Sequence, residues 1–148
     1  MQHSPSRGHL RPQLRHFMLG WIVLVTLLLA ACGSQNSAQP AISVTFTPGF
    51  TPPTAMTVSE QCGVAATVTN DPKNAGVTWM AACSNAPCGT FIPSAASASE
   101  VPITYMAPAM APTGGTVTLT ATSVTDPTKS VTSSPIEIGE TSSGCTEP

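Results

Sequence analysis

The sequence predicts an all-β fold, an antiparallel β-sandwich of about seven strands over residues 41–138. Apolar residues in this region alternate with Ser and Thr at a period of two, which is typical of strands that bury one face. Turn signals such as Asp-Pro, Gly-Gly and Ala-Pro separate the alternating runs about every 8–15 residues. No segment of the region sustains the 3.6-residue period of a helix.

Seven alternating runs give the expected strands. Gly49 ends the first run, Asp71-Pro72 ends the third, and Gly114-Gly115 and Asp126-Pro127 flank the sixth. Val, Thr and Ser fill the runs because such side chains suit a pleated surface. In chain order the runs cover residues 42–46, 56–58, 64–68, 77–81, 103–107, 117–121 and 131–138.

A leader precedes this region. Arginines at positions 7, 11 and 15 come before an apolar run over residues 17–29, and small residues follow that run. The run has about 13 residues and a membrane-spanning helix needs about 20, so a transmembrane anchor is the weaker alternative. The segment Leu29-Ala30-Ala31-Cys32 resembles the lipobox of bacterial lipoproteins. This resemblance implies that residues 1–31 are a signal peptide cut before Cys32, which then binds membrane lipid through fatty acyl chains.

Residues 32–40 are expected to be the lipidated cysteine and a flexible tether, because the segment from Gly33 onward has almost nothing apolar to bury. The residue after Cys32 bears on location, because it is Gly33 and not aspartate. In the best-studied lipoproteins of this type an aspartate at this position retains the protein in the inner membrane. The resemblance therefore implies the bacterial cell envelope, and the outer membrane where the source has two. Residues 139–148 are expected to form a C-terminal tail.

Cleavage before Cys32 would leave 117 of the 148 residues, enough for one domain. All histidines and arginines lie in the leader. The cleaved chain would therefore carry two cations, Lys73 and Lys129, and seven carboxylates, which gives it a net charge of −5. Nucleic-acid binding has no electrostatic basis in such a chain. The missing histidine excludes Ser-His and Cys-His catalysis and the usual zinc sites. We therefore expect no catalytic residue, no metal and no cofactor; a carboxylate pair in acid–base catalysis is the weaker alternative.

Four segments in residues 41–138 resemble the Ig-like domains of bacterial surface and secreted proteins, in the same order. They are residues 68–72, 75–79, 105–108 and 117–123. The resemblance implies an immunoglobulin-like sandwich that serves as a spacer, adhesion or binding module, without a shared active site. The single copy, Cys62 and Cys145 depart from the usual pattern. In such sandwiches the tryptophan of the third strand fills the core, so the resemblance implies core positions for Trp79 and Tyr105 rather than a sugar platform.

With Cys32 lipidated, Cys62, Cys83, Cys88 and Cys145 remain. Four cysteines in an exported domain favour two disulfides, with a four-thiolate metal site as the alternative. In the strand order implied by the resemblance, Cys62 precedes strand B, Cys83 and Cys88 follow strand C, and Cys145 follows strand G. All four then lie at one end, and the turn at residues 84–87 favours the pairs Cys83–Cys88 and Cys62–Cys145. The second pair would close a loop of about 80 residues and hold the tail beside the domain.

Asp71 and Asp126 would lie at the opposite end, in neighbouring loops. Each begins an Asp-Pro turn, and a lysine follows, Lys73 or Lys129. Capping of the turn by the aspartate explains this pattern better than calcium binding, because calcium needs six to eight oxygen ligands. The tether would place this end toward the membrane and the disulfide end away from it.

These inferences together predict a monomeric, non-enzymatic envelope lipoprotein whose domain is a structural, adhesive or protein-binding module. A polysaccharide-binding module is the first alternative, and exposed aromatic side chains on one sheet face would favour it. A small envelope enzyme is the second. The sequence names no contact residue for a protein or polysaccharide partner.

Overall fold

The computed structural model describes residues 38–145 of the 148-residue chain. The predicted signal peptide, Cys32 and residues 33–37 of the tether lie outside the described residues, as do the last three residues of the tail. The described part contains no helix, and the predicted all-β class is confirmed. A helix long and apolar enough to cross a membrane is likewise not found within residues 38–145.

Eleven short strands take the place of the seven predicted runs. In chain order they are β1 Ser43–Phe46, β2 Ala55–Thr57, β3 Gln61–Val64, β4 Ala66–Thr69, β5 Val77–Ala82, β6 Thr90–Ile92, β7 Ala96–Ser97, β8 Ile103–Met106, β9 Thr116–Ser123, β10 Ser130–Thr132 and β11 Ile136–Gly139.

Two of the predicted runs are each divided into two strands. The predicted run 64–68 starts earlier, at Gln61, and is interrupted at Ala65. There the backbone bonds to the turn after β1 instead of a strand: the amide of Ala65 donates to the carbonyl of Phe50 at 3.0 Å, and the amide of Thr47 donates to the carbonyl of Ala65 at 2.9 Å. The last run divides into β10 and β11 around residues 133–135. The strands β6 and β7 are too short to show an alternating pattern in the sequence.

The strands form two packed layers. One layer contains β1 paired with β4 and, through the continuous chain of β3, the order β3-β8-β6; the other has the order β2-β11-β9-β5-β7, with β10 also on β9. The N-terminal segment serves both layers, because β1 pairs antiparallel with β4 while β2 pairs parallel with β11. This parallel pair is the one departure from the predicted antiparallel pairing. The strand order is that of an immunoglobulin-like sandwich, with its first strand divided between the sheets.

The core lies between the layers, and β9 illustrates how the sequence builds it. Its Val117, Leu119 and Ala121 are buried, while Thr116 to Thr122 at alternate positions form the outer face. Met56 of β2 is fully buried, whereas its predicted partner Val58 is 43% exposed because β2 ends at Thr57. Each fully buried large side chain contributes about 1.5–3 kcal/mol to folding.

Candidate interaction surface

The two predicted disulfides are present. The Cα atoms of Cys83 and Cys88 lie 5.5 Å apart, and those of Cys62 and Cys145 lie 5.1 Å apart across a separation of 83 residues. Both pairings are confirmed. One detail was wrong: Cys62 lies inside β3 and not before the strand, because residues 61–64 pair in register with β8.

Tyr105 lies between the two disulfides. It is the cross-strand partner of Cys62 in the sheet, and its hydroxyl donates to the carbonyl of Cys88 at 2.6 Å. The side chain is fully buried, and this burial raises the pKa of Tyr105 to about 12. Gly89 leaves room for the hydroxyl, since a Cβ at that position would lie 2.5 Å from it. Both disulfides therefore belong to the same end of the sandwich, as the sequence predicted.

Trp79 is 5% exposed, and its indole nitrogen donates to the hydroxyl of Ser97 at 3.1 Å. It belongs to a row of aromatic rings that crosses the core from β1 to β8. The ring centroids of Phe46 and Trp79 lie 6.3 Å apart, those of Trp79 and Phe91 5.9 Å, and those of Phe91 and Tyr105 5.3 Å. These distances are typical of favourable aromatic pairs, so the four rings serve packing between the two layers.

The end of the sandwich at which the chain enters β1 is called the entry end here, and it contains the turns at residues 70–76 and 123–129. The carboxylate of Asp71 accepts the amides of Lys73 at 3.0 Å and Ala75 at 2.9 Å. The carboxylate of Asp126 accepts the amide of Thr128 at 3.1 Å and its hydroxyl at 2.7 Å. Both aspartates thus cap their own turns.

The two entry-end turns are neighbours. The amide of Val124 donates to the carbonyl of Gly76 at 3.0 Å, and the buried hydroxyl of Thr125 lies near Asp71 without a hydrogen-bond partner. Partial desolvation raises the pKa of Asp71, but the nearby Thr125 hydroxyl and the amides of residues 73–75 outweigh it and leave that pKa below its ordinary value.

The pKa of Asp126 is also low. The hydroxyl and amide of Thr128 lower it most, partial desolvation opposes them, and the charge of Lys129 lowers it further. Within residues 38–145, no group of three or more His, Cys, Asp or Glu side chains is placed to share a metal ion. The carboxylates at this end are occupied by the backbone of their own turns.

The opposite end consists of three turns at residues 57–60, 84–87 and 108–115, together called the stapled tip. The long turn bonds to each of its neighbours. The amide of Ser59 donates to the carbonyl of Pro108 at 3.1 Å, and the amide of Thr113 donates to the side-chain oxygen of Asn85 at 2.7 Å. The Cys83–Cys88 bond closes the middle turn. The tip is therefore a set of mutually supported turns.

The stapled tip exposes an apolar patch among polar side chains, which include Ser59, Ser84, Asn85 and Thr113. Met110 is 77% exposed, the largest value among the exposed large apolar side chains of the described residues, and Val58 is 43% exposed. Four small apolar residues of the same turns are also exposed: Ala86, Pro87, Ala109 and Ala111.

Glu60 is the single charged residue in the three turns, and its carboxylate is already occupied. It accepts the amide and hydroxyl of Thr57 and the hydroxyl of Ser142, the last at 2.7 Å. Desolvation raises the pKa of Glu60, but the bonds from Ser142 and Thr57 outweigh it, so the pKa lies below its ordinary value. The bond to Ser142 fastens the C-terminal segment to the tip.

Two further carboxylates, Glu137 and Glu140, lie beside the tip on the exposed surface at β11. Glu137 is in register with Thr116, directly after the long turn, and lines a cleft of about 280 Å³ together with Gly114 and Gly115. Both lysines of the described residues lie in the entry-end turns. Charge is therefore segregated along the sandwich, with carboxylates alone at the tip.

Sequence reasoning found the cysteines but did not single out Met110 or Val58. A usable signal for Met110 exists, because it stands in a run of Ala and Pro between two alternating segments. An apolar side chain in a turn has no sheet face into which it can be buried. Comparison with protein-family models, with curated proteins and with solved structures finds no match for this chain.

Proposed function

We propose that this protein is a non-enzymatic lipoprotein of the bacterial cell envelope. Lipid on Cys32 anchors it, and a single domain of the bacterial Ig-like type presents a binding or adhesive surface to another protein. The observation that carries this proposal is the opposition of the two ends. The chain enters at one end, where the side-chain amide of Asn70 donates to the carbonyl of Ala41, and the stapled tip lies at the other.

The length of the sandwich sets the reach of this surface. Strand β9 has 8 residues, which separates the two ends by about 27 Å. An anchor at Cys32 followed by a short tether would hold the entry end near the membrane. The stapled tip would then face away from it, in the position from which a partner can be contacted.

Two disulfides support export, because such bonds persist in oxidising compartments and are rare in the cytosol. The leader and the Leu29-Ala30-Ala31-Cys32 segment support the same conclusion from the sequence. Because position 33 is glycine and not the aspartate that retains such lipoproteins in the inner membrane, we propose the outer membrane where the source has two.

The polysaccharide-binding alternative has less support. Sugar platforms use exposed aromatic rings, whereas Phe46, Trp79, Phe91 and Tyr105 pack in a row between the two layers. The outer face of β9 instead carries threonines. A protein partner therefore remains the stronger proposal.

The test combines acyl labelling with protease shaving of intact cells that produce the chain with a tag after Pro148. We expect labelled palmitate in the wild-type chain and none in Cys32→Ser, which should leave the membrane fraction. Loss of the tag without lysis places the domain on the cell exterior, and protection until the membrane is opened places it inside the envelope. Absence of acyl label from the wild type would overturn the proposed anchor.

A further inference from the structure

We infer that the stapled tip is a docking surface for a protein whose contact patch has an apolar centre and a rim of lysine or arginine. This inference rests on the proposed function in one respect, the exposure of the tip to other envelope proteins. It deepens that proposal because it names the contacting residues and the chemistry of the partner.

The apolar centre of the surface is Met110, and Val58 is exposed on the turn that the Ser59–Pro108 bond joins to it. The Met110 side chain is 77% exposed, so a partner that covers it removes apolar surface from water, which favours binding. The flexible thioether side chain adapts to the shape of a pocket. Small neighbours such as Ala109 and Ala111 leave the methionine protruding rather than flanked by bulk. Met110 is therefore suited to be the central anchor.

The backbone beneath this anchor is held in place before any partner arrives. The amide of Gly115 donates to the carbonyl of Pro112 at 2.8 Å, and its own carbonyl accepts the amide of Ile138 at 2.7 Å. Pro108 and Pro112, which flank Met110, are both buried. A surface that is already ordered loses little conformational entropy on binding, which favours affinity.

The negative charge beside the tip indicates which residues should surround the apolar patch of the partner. Glu137 and Glu140 are exposed beside the tip, and the described residues place no lysine or arginine there, since Lys73 and Lys129 lie at the entry end. A partner with lysine or arginine around its apolar patch would be attracted and oriented by these carboxylates. An acidic partner would be repelled.

The same residues argue against other occupants. The three turns carry no lysine, arginine or aromatic residue. Loops that enter a lipid surface commonly combine basic and aromatic side chains, and nucleic acid requires cations. Polysaccharide recognition by stacking requires aromatic rings. The apolar and acidic combination fits a protein surface.

The test is photocrosslinking in living cells that produce the full chain, with benzoylphenylalanine placed at position 110. Position 124 provides the matched control, because Val124 is 46% exposed and lies at the entry end. We expect a discrete protein adduct at position 110 whose crosslinked peptide contains or adjoins lysine or arginine, and no such adduct at position 124. In the variant Glu137→Gln with Glu140→Gln, the adduct yield at position 110 should fall roughly fivefold.

Every other pattern overturns the inference. Equal adducts at both positions indicate non-specific contact, and a lipid or glycan adduct at position 110 indicates another kind of occupant. An unchanged yield in the glutamine variant, or no adduct at all, removes the basic protein partner. Export of each variant is checked by oxidised mobility on a non-reducing gel. An unlabelled Cys32 together with a specific adduct at position 110 would overturn the anchor but leave this inference standing.

Discussion

At the entry end, two Asp-Pro turns cap their own backbone through carboxylates, whereas at the stapled tip three turns hold one another through bonds between distant parts of the chain. The Asp71 and Asp126 bonds span two to four residues. The Cys62–Cys145 bond spans 83 residues, and the Ser142–Glu60 bond spans 82. Each entry-end turn is therefore capped by its own residues, with the Val124–Gly76 bond joining the two turns, whereas the tip depends mainly on bonds between distant parts of the chain. This difference predicts that the two ends respond differently to mutation and pH.

Removal of the two disulfides should give the largest effects, and unequal ones. On the chain-entropy model, Cys62→Ala with Cys145→Ala lowers the free energy of unfolding by about 4.5 kcal/mol, because the bond closes a long loop. Cys83→Ala with Cys88→Ala should lower it by about 2 kcal/mol, because its loop is short. Urea unfolding followed by Trp79 fluorescence measures both. Equal losses would mean that loop length does not explain the stability of the tip.

Tyr105 should make the tip sensitive to alkali. Burial holds its folded pKa at about 12, above the ordinary value of 10.0. The folded state thus resists deprotonation: its stability is complete below pH 10 and falls as the pH rises from about 10 to about 12, by on the order of 2 kcal/mol. Tyr105→Phe should abolish this dependence while costing about 1 kcal/mol at neutral pH for the lost bond to Cys88. Unfolding measured from pH 9 to 12 tests both statements, and an identical alkaline slope in the two proteins would contradict the first.

The entry end should instead be sensitive to acid, and to a smaller extent. The pKa values of Asp71 and Asp126 are lowered in the folded state, so their contribution is present at neutral pH and is lost as the pH falls through those lowered values. Asp71→Ala and Asp126→Ala should each lower the melting temperature less than Tyr105→Phe does. The Asn variants should restore part of the loss, since an amide oxygen still caps the turn. Glu100→Ala, an exposed carboxylate elsewhere, serves as the control and should have no effect.

Glu60 should give the smallest and most local effect. Glu60→Gln weakens the bonds from Thr57 and Ser142 without removing the disulfide. We expect faster amide hydrogen exchange at Ser143, whose amide donates to the carbonyl of Ala55, with little change in the melting temperature. Because the Glu60 pKa is lowered, wild-type exchange should approach that of the variant as the pH falls below 4.5. Faster exchange throughout β9 would show that the carboxylate supports the whole fold.

Elements of the fold that depend on neighbouring residues could be predicted from the sequence, whereas elements that depend on contacts between distant residues could not. The alternation in β9 and β5 and the capped turns at Asp71 and Asp126 are written in neighbouring residues, and the structure has them where the pattern indicated. The division at Ala65 depends on a bond to Phe50, which no local pattern reveals. The strands β6 and β7 form because the tertiary structure offers them a partner strand, since their own sequences are too short to specify one.

The candidate surface follows the same rule. Cysteine count and the implied strand order were sufficient to predict both disulfide pairs. The run of Ala and Pro around Met110 indicates a turn, but the extent of its exposure depends on Pro108 and Pro112 being buried around it, which the sequence alone does not show. The charge segregation required knowing that β11 ends beside the long turn, so that Glu137 and the tip share one cleft.

The Cys62–Cys145 bond also sets a mechanical limit. Tension applied between residue 38 and Cys145 passes directly to Cys62 and bypasses the chain between the two cysteines, a separation of 83 residues that would otherwise extend to about 280 Å. The segment that tension can still extend runs from residue 38 to Cys62, roughly 80 Å when fully stretched. It contains β1, β2 and the first two residues of β3. Tension between residue 38 and Cys145 would therefore detach at most this leading edge and leave the remaining strands as an inextensible block.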